Sequence, residues 1–497
     1  MDARGILRSG LLLFVLLLLP SCGGGGGGGG GGNAPSAEIV YVLEKNATGS
    51  GQVEYFAMNP SNGSFYSGSS TLSTGGNVPV SLVADPSNDY LYVLNNNTSG
   101  TSSNGSVTSF SAASYGTSST VISNAVSTGT NPVNMAVDPK GGYLVVADHG
   151  SGLTSGGGDV KVFPLSGGTL GTTSTWTNNS CPNPFRVVFA PGAAGTTSDG
   201  VVVVCSSPEL VAAGSSSVPQ IEVYSCTLGD LINNSNSCTS IYSNTSSISS
   251  AITAFAFDPS GTVAAAPQVT GSGSGSSAGG LLLICVYKNG QYNCPTGNPE
   301  GSGNSWFTTE SVAFFGTGSN VEAYAGNYNP DSYDSSSSGG SFVSGTNEMA
   351  SCYTSSSSSQ LTSSTSCSIL SMTSTSNGSS IGDPYYFFVS GNYLYIVVTE
   401  TPLSGPYLTT GPTTASLPTG YLLSCYVGST TCSVKPTGAG PVSVSTDPQT
   451  GNYLFVPSVS GTISVFSGAT TGTLTPLTPI QASSGYAALS VVALTPP

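Results

Sequence analysis

Apolar positions in this chain come in short runs, separated by turn-forming residues and stretches of Ser, Gly, Thr and Asn. "PVSLVADPSNDYLYVLN" from Pro79 sets the form: an apolar strand, a turn with Asp-Pro and Asn, and a second apolar strand. It returns as "PVNMAVDPKGGYLVVAD" from Pro132 and "PVSVSTDPQTGNYLFVPS" from Pro441. Looser copies start at Ile252, Ser311 and Asp383, and the copy at Pro184 has a longer turn. Proline sets φ in such turns, and Gly or Asn accepts positive φ. Asp85, Asp138, Asp258 and Asp447 recur at one place in the hairpin, which assigns them to the turn and not to chemistry.

After each hairpin a polar loop leads to a third strand, such as "SVTSFS", "VKVFPL", "IEVYSC" or "TISVFS", with alternating apolar positions. A weaker fourth strand closes each unit. The second strands are nearly continuous apolar runs, as in Tyr143 to Ala147 and Tyr393 to Val398. Such strands are covered on both faces. Repeated four-stranded antiparallel units predict an all-β propeller. The N-terminal part holds a second and a third strand, "IVYVLEK" from Ile39 and "VEYFAMN" from Val53. The C-terminal "YAALSVVAL" from Tyr486 is a first strand with nothing after it. Together they predict one composite blade that closes the ring. The expected count is eight, with seven as the alternative.

The first residues have a different pattern. Arg4 and Arg8 precede an unbroken apolar run, Leu11 to Leu19, too short to span a bilayer but of secretory length. Leu19-Pro20-Ser21-Cys22 resembles a bacterial lipobox, which implies cleavage before Cys22 and acylation there. Gly23 to Gly32 then reads as a flexible leash, reaching roughly 20 Å. The expected organisation is a signal peptide over 1–21, a lipidated cysteine and tether over 22–37, and one propeller over 38–497. The expected address is the extracytoplasmic cell envelope, at the outer membrane or cell surface.

Charged residues make up 6% of the chain, far below ordinary domains. Removal of Arg4, Arg8 and Asp2 takes two positive charges and one negative one from a net −15, leaving −16. Nucleic-acid binding needs basic surface and is excluded. A neutral, hydroxyl-rich surface suits a glycan, a protein partner or self-association.

Of eleven cysteines, ten remain beyond Cys22. In an exported chain they suggest disulfides. Chain order suggests Cys181–Cys205, Cys226–Cys238, Cys285–Cys294, Cys352–Cys367 and Cys425–Cys432. The last four pairs would staple third strands to fourth strands in consecutive blades. A lone histidine and the absence of CxxC argue against a metal, and no cofactor is expected.

Tyr41-Val-Leu-Glu44, Tyr92-Val-Leu-Asn95 and the preceding Pro79-to-Pro86 stretch resemble the YVTN-repeat and lactonase-type bacterial propellers. Some members of that family hydrolyse sugar lactones, and many have other roles. The resemblance implies a funnel lined by residues that follow the second strands: Glu44, Lys45, Asn95, Asn96, Asp148, His149, Asn327 and Glu400. A hydrolytic site would use His149 or Glu400 as general base and Arg186 for an oxyanion. The scarcity of ionisable groups favours instead a tethered, non-catalytic binding, surface or assembly module. A lactonase-like hydrolase of sugar lactones or esters is the alternative.

Overall fold

The computed structural model describes residues Ala37 to Thr495. It leaves out 97–103, 114–117, 151–156, 192–199, 207–220, 245–248, 253, 272–278, 289–290, 295–310, 318–319, 327–347, 356–365, 372, 375–382, 400–419 and 430. The compact unit spans Ser36–Pro497. Cys22 and the segment expected to be a signal peptide and tether lie outside the described residues, and among the described residues no helix is long and apolar enough to cross a membrane.

Among the described residues there are eight sheets, each built around four antiparallel strands. The fold is the expected β-propeller. Blade 1 is the composite one. Its strands Glu38–Asn46, Ser50–Met58 and Phe65–Asn77 are joined by Tyr486–Leu494, with Val40 opposite Ala493 and Val42 opposite Val491. The chain ends are thus sewn into one sheet. Blade 2 runs Pro79–Ala84, Tyr90–Asn95, Asn104–Ser111 and Val121–Thr130, and the other hairpins follow in chain order.

The core is divided among the blade interfaces. Tyr41 and Leu43 of blade 1 pack on Leu91 and Val93 of blade 2. On the other face, Val40 and Val42 pack on Phe455 and Val465 of blade 8. Similar clusters join every other neighbouring pair. A second strand such as Tyr143–Asp148 therefore has both faces buried, which explains its unbroken apolar sequence.

The recurring aspartates do fix the turns. Asp85 accepts from the Tyr90 N–H at 2.7 Å, Asp258 from Val263 at 2.7 Å, and Asp447 from Tyr453 at 2.6 Å. Asp138 accepts from Gly142. A second device recurs at the other end of the blades. The glycine that opens a third strand lies against the proline that opens the next blade, as in Gly51 on Pro79, Gly105 on Pro132, Gly158 on Pro184 and Gly420 on Pro441. A Cβ on Gly51 or Gly158 would lie 2.7 Å from a ring carbon of its proline.

Four disulfides have the predicted partners: Cys181–Cys205, Cys226–Cys238, Cys285–Cys294 and Cys425–Cys432. Cys425 and Cys432 are directly opposed in register. The backbones of Cys352 and Cys367 are opposed in the same way, but their side chains are outside those described.

Candidate functional site

The residues expected around the funnel sit where second strands end, and there they connect blades. Glu44, Asn95 and Asp148 all face the preceding blade. Asn95 donates from Nδ2 to the Thr74 carbonyl at 3.0 Å. Asp148 Oδ2 accepts from the Gly129 N–H at 2.9 Å. Glu44 Oε2 accepts from Gln52 Nε2 at 2.7 Å and from the Ser483 N–H at 3.4 Å. In blade 4 the corresponding residue is Cys205, which makes the same connection covalently through Cys181. All four side chains are buried.

The next residue along points toward the following blade. The N–H groups of Asn96, His149 and Ser206 donate to the carbonyls of Val78, Asn131 and Asn183. Asn96 Nδ2 donates to the Pro132 carbonyl at 3.1 Å. His149 Nε2 lies 3.1 Å from the Ser206 carbonyl. A carbonyl only accepts, so Nε2 carries the proton and does not act as a base. The His149 carbonyl accepts from Asn183 Nδ2 at 2.9 Å, and Ser206 Oγ accepts from the Ile252 N–H at 2.8 Å. These bonds run continuously from blade 2 to blade 5.

Arg186 lies on the innermost strand of blade 4, Pro184–Phe189. Its guanidinium carbon is 5.3 Å from the centroid of Phe185, and the His149 ring meets that phenyl edge-on at 6.4 Å. The structure thus brings His149 and Arg186 to one aromatic ring, with His149 only 1% exposed. Asn327 and Glu400 lie outside the described residues.

A group the sequence reading missed adjoins Asp148. Asp159 opens the third strand of blade 3, Asp159–Ser166, directly opposite Asp148. Lys161 Nζ pairs with Asp159 Oδ2 at 2.8 Å and donates to Thr175 Oγ1 at 3.0 Å. Burial, and then the charge of Asp159, push the Asp148 carboxyl up to about 8. Burial and the neighbouring Asp159 thus both favour the protonated form of Asp148, beside a carboxyl group paired with a lysine. The Asp159 and Lys161 side chains are 19% and 15% exposed. Two like-charged groups rarely face each other across strands, so one proton between them is the arrangement that lets both stay. The alternation in "DVKVF" was visible in the sequence. The register placing it against Asp148 was not, because the Ser- and Gly-rich sequence between them carries no strand pattern that fixes it.

Blade 1 has a related pair. Burial pushes Glu44 up to about 8, and Glu54 beside it adds to the shift. Glu54 accepts from Ser69 and Ser483 hydroxyls. The adjacent Lys45 is fully buried, its Nζ has no hydrogen-bond partner, and burial lowers it to about 8. Among the described residues, no three His, Cys, Asp or Glu side chains form a metal-holding group.

Residues 39–204 match the family described as "Lactonase, 7-bladed beta-propeller". The matched third of the chain contains Glu44, Asp148, Asp159, Lys161 and Arg186. The chain is similar to lactonase-type propellers, although it has eight sheets where that description has seven blades. Apo AztD from Citrobacter koseri is similar in structure, with TM-score 0.50, 11% identity, and 92% of this chain and 98% of that one covered. The periplasmic gluconolactonase of Pseudomonas aeruginosa gives TM-score 0.47, 13% identity and coverages of 93% and 100%. A proposed 6-phosphogluconolactonase from Bacteroides fragilis gives 0.48, 12%, and 92% and 98%. No curated protein matches the chain in sequence.

Proposed function

We propose that the chain is a lactonase-like hydrolase that opens a cyclic ester, with Asp148, Asp159 and Lys161 as its working groups. The supporting observation is that the segment matching the lactonase family, residues 39–204, contains this acid–carboxylate pair. One carboxyl group of the pair is buried and favours its protonated form, and the other is partly exposed beside a lysine, the division of surroundings that suits an acid and a base. Asp159, partly exposed, takes a proton from water as the water oxygen adds to the ester carbonyl. Lys161 stabilises the oxyanion. Collapse breaks the ring C–O bond, and the leaving alkoxide takes the proton from Asp159, while the buried Asp148 stays behind as the acid that supports that carboxyl group. Arg186 is the alternative oxyanion partner.

The test is hydrolysis of a panel of five- and six-membered sugar lactones, followed by proton release. Asp159→Asn is expected to abolish turnover and Asp148→Asn to reduce it at least tenfold. His149→Asn should leave turnover per folded molecule within about twofold. Wild-type protein inert toward every lactone would defeat the hydrolase reading.

A second reading is a non-catalytic binding, surface or assembly module hung from the envelope by acylated Cys22. It is favoured by the use of His149, the chain's one histidine, in the bonds between blades. A mature protein whose N-terminal peptide begins at Cys22 and carries acyl mass supports the anchor. An unmodified N-terminus removes it.

A further inference from the structure

Four blades carry a tyrosine at the same place in the second strand, facing the next blade: Tyr41, Tyr92, Tyr324 and Tyr395. In three of them the hydroxyl engages the backbone just beyond the third strand of that next blade. Tyr41 Oη accepts from the Ala113 N–H at 2.5 Å, and Tyr324 Oη from the Gly428 N–H at 3.2 Å. Tyr395 Oη donates to the Ala469 carbonyl at 2.5 Å.

Tyr92 breaks the pattern. Its ring is buried, but among the described residues its hydroxyl makes no hydrogen bond and is not one of the polar atoms closed off from solvent. That hydroxyl is therefore open to water or to a ligand. The corresponding turn of blade 3 is Gly167-Gly168, with both φ positive, and Gly168 lies against the Tyr90 ring. The close turn leaves a cleft of about 400 Å³ between blades 2 and 3, with Tyr92 in its lining. It lies at the Asp-Pro turns, at the opposite end of Tyr90–Asn95 from the candidate hydrolytic residues.

The lining defines a ligand class. About 400 Å³ suits one small ligand. The Tyr90 ring offers an apolar face, and the Tyr92 hydroxyl offers a polar contact that no described residue occupies. Lys140, exposed at the mouth, supplies positive charge. Asp85 also lines the cleft, but its oxygens already accept from Ser87 and the Tyr90 N–H. We propose that this cleft is a binding site for an acidic monosaccharide, with its carboxylate toward Lys140 and a ring hydroxyl on Tyr92. The site is independent of the hydrolase reading.

The experiment is calorimetric titration of the full chain in detergent with glucuronate and with glucose, alongside thermal melting. Wild type should bind glucuronate at least tenfold more tightly than glucose. Tyr92→Phe and Lys140→Gln should each weaken glucuronate about tenfold, and Tyr395→Phe should not. Without ligand, Tyr92→Phe should leave the melting temperature unchanged while Tyr395→Phe lowers it. No detectable glucuronate binding, equal affinity for glucose, or unaltered binding by Tyr92→Phe would each overturn the proposal. So would a fall in melting temperature for Tyr92→Phe equal to that for Tyr395→Phe, which would reveal a protein partner for the hydroxyl.

Discussion

Asp148 and Asp159 face each other across neighbouring strands, and each keeps one oxygen, Oδ1, without a donor. One proton shared by the two carboxyl groups would supply the missing donor. The other oxygens are already engaged, Asp148 Oδ2 by the Gly129 N–H and Asp159 Oδ2 by Lys161. The pair is thus a pH-dependent joint beside the boundary between blades 2 and 3.

The sign of that dependence follows from the proton count. Folding raises Asp148 from 3.8 to about 8, Glu44 from 4.5 to about 8 and Glu38 from 4.5 to about 7, in each case mainly through burial. Between these limits the folded chain holds more protons than the unfolded one. Stability is therefore fully present near pH 4 and declines as pH rises through about 8. Lys45, lowered from 10.5 to about 8, reverses part of the slope above that. Thermal melts from pH 4 to 10 should show the midpoint falling to about pH 8, then partly recovering. A midpoint that climbs between pH 4 and 8 would contradict these protonation states.

Asp148→Asn isolates one contribution. The asparagine Oδ1 keeps the Gly129 contact, and Nδ2 donates permanently where the shared proton stood. Blade 2 already has asparagine at this place, Asn95. The variant should gain about 1–3 kcal/mol at pH 8 and little at pH 4, while losing turnover in the lactone assay. Such an exchange of function for stability is what an active-site acid produces. A stability gain with unchanged turnover would leave Asp148 a structural residue.

His149→Ala should behave differently. It removes the bond to the Ser206 carbonyl and the edge contact with Phe185, inside the chain of bonds from blade 2 to blade 5. A buried carbonyl losing its donor costs about 1–3 kcal/mol. Denaturant titration should show that loss with no change in activity per folded molecule. Loss of turnover at full stability would return His149 to the reacting atoms.

Removal of disulfides should rank by the loop closed. Cys181–Cys205 encloses a sequence separation of 24, and Cys425–Cys432 one of 7. The chain-entropy relation gives about 3.4 and about 2.4 kcal/mol. Cys181 also carries the trailing segment of blade 3 to the second strand of blade 4, so its loss loosens a boundary between blades. Double alanine variants compared by urea unfolding should show the larger loss at Cys181–Cys205.

The architecture was legible in the sequence because its signals are local. Pro79 to Asn95 states a whole hairpin within one short stretch, and Cys425 lies only seven residues from Cys432. The closure by Tyr486–Leu494 was legible by elimination, since Glu38–Asn46 lacked a first strand. The site was less legible because it depends on register between distant pieces. Asp148 and Asp159 are separated by a Ser- and Gly-rich stretch whose sequence does not dictate pairing. His149 looked available for chemistry because no sequence pattern shows that its ring reaches Ser206. The fourth uncapped tyrosine also depends on a comparison between blades, one that only coordinates provide.

The glycine–proline contacts yield the last prediction. Gly105 opens the third strand of blade 2, and a Cβ there would fall on the Pro132 ring and 2.7 Å from the Asn95 carbonyl oxygen. Neither obstacle can rotate away. Pro132 is fixed by its ring and by the first strand of blade 3, and the Asn95 carbonyl is backbone. Alanine must therefore push the two blades apart, where Asn96 also bonds to Asn131 and Pro132. Overpacking of this kind costs about 1–3 kcal/mol and sometimes more. Gly200 provides the control, because a Cβ there meets only Ala190 Cβ at 3.6 Å, an ordinary contact. Gly105→Ala should lower the melting temperature clearly and Gly200→Ala hardly at all. Equal tolerance at both positions would mean that the blades are not held at the spacing these contacts require.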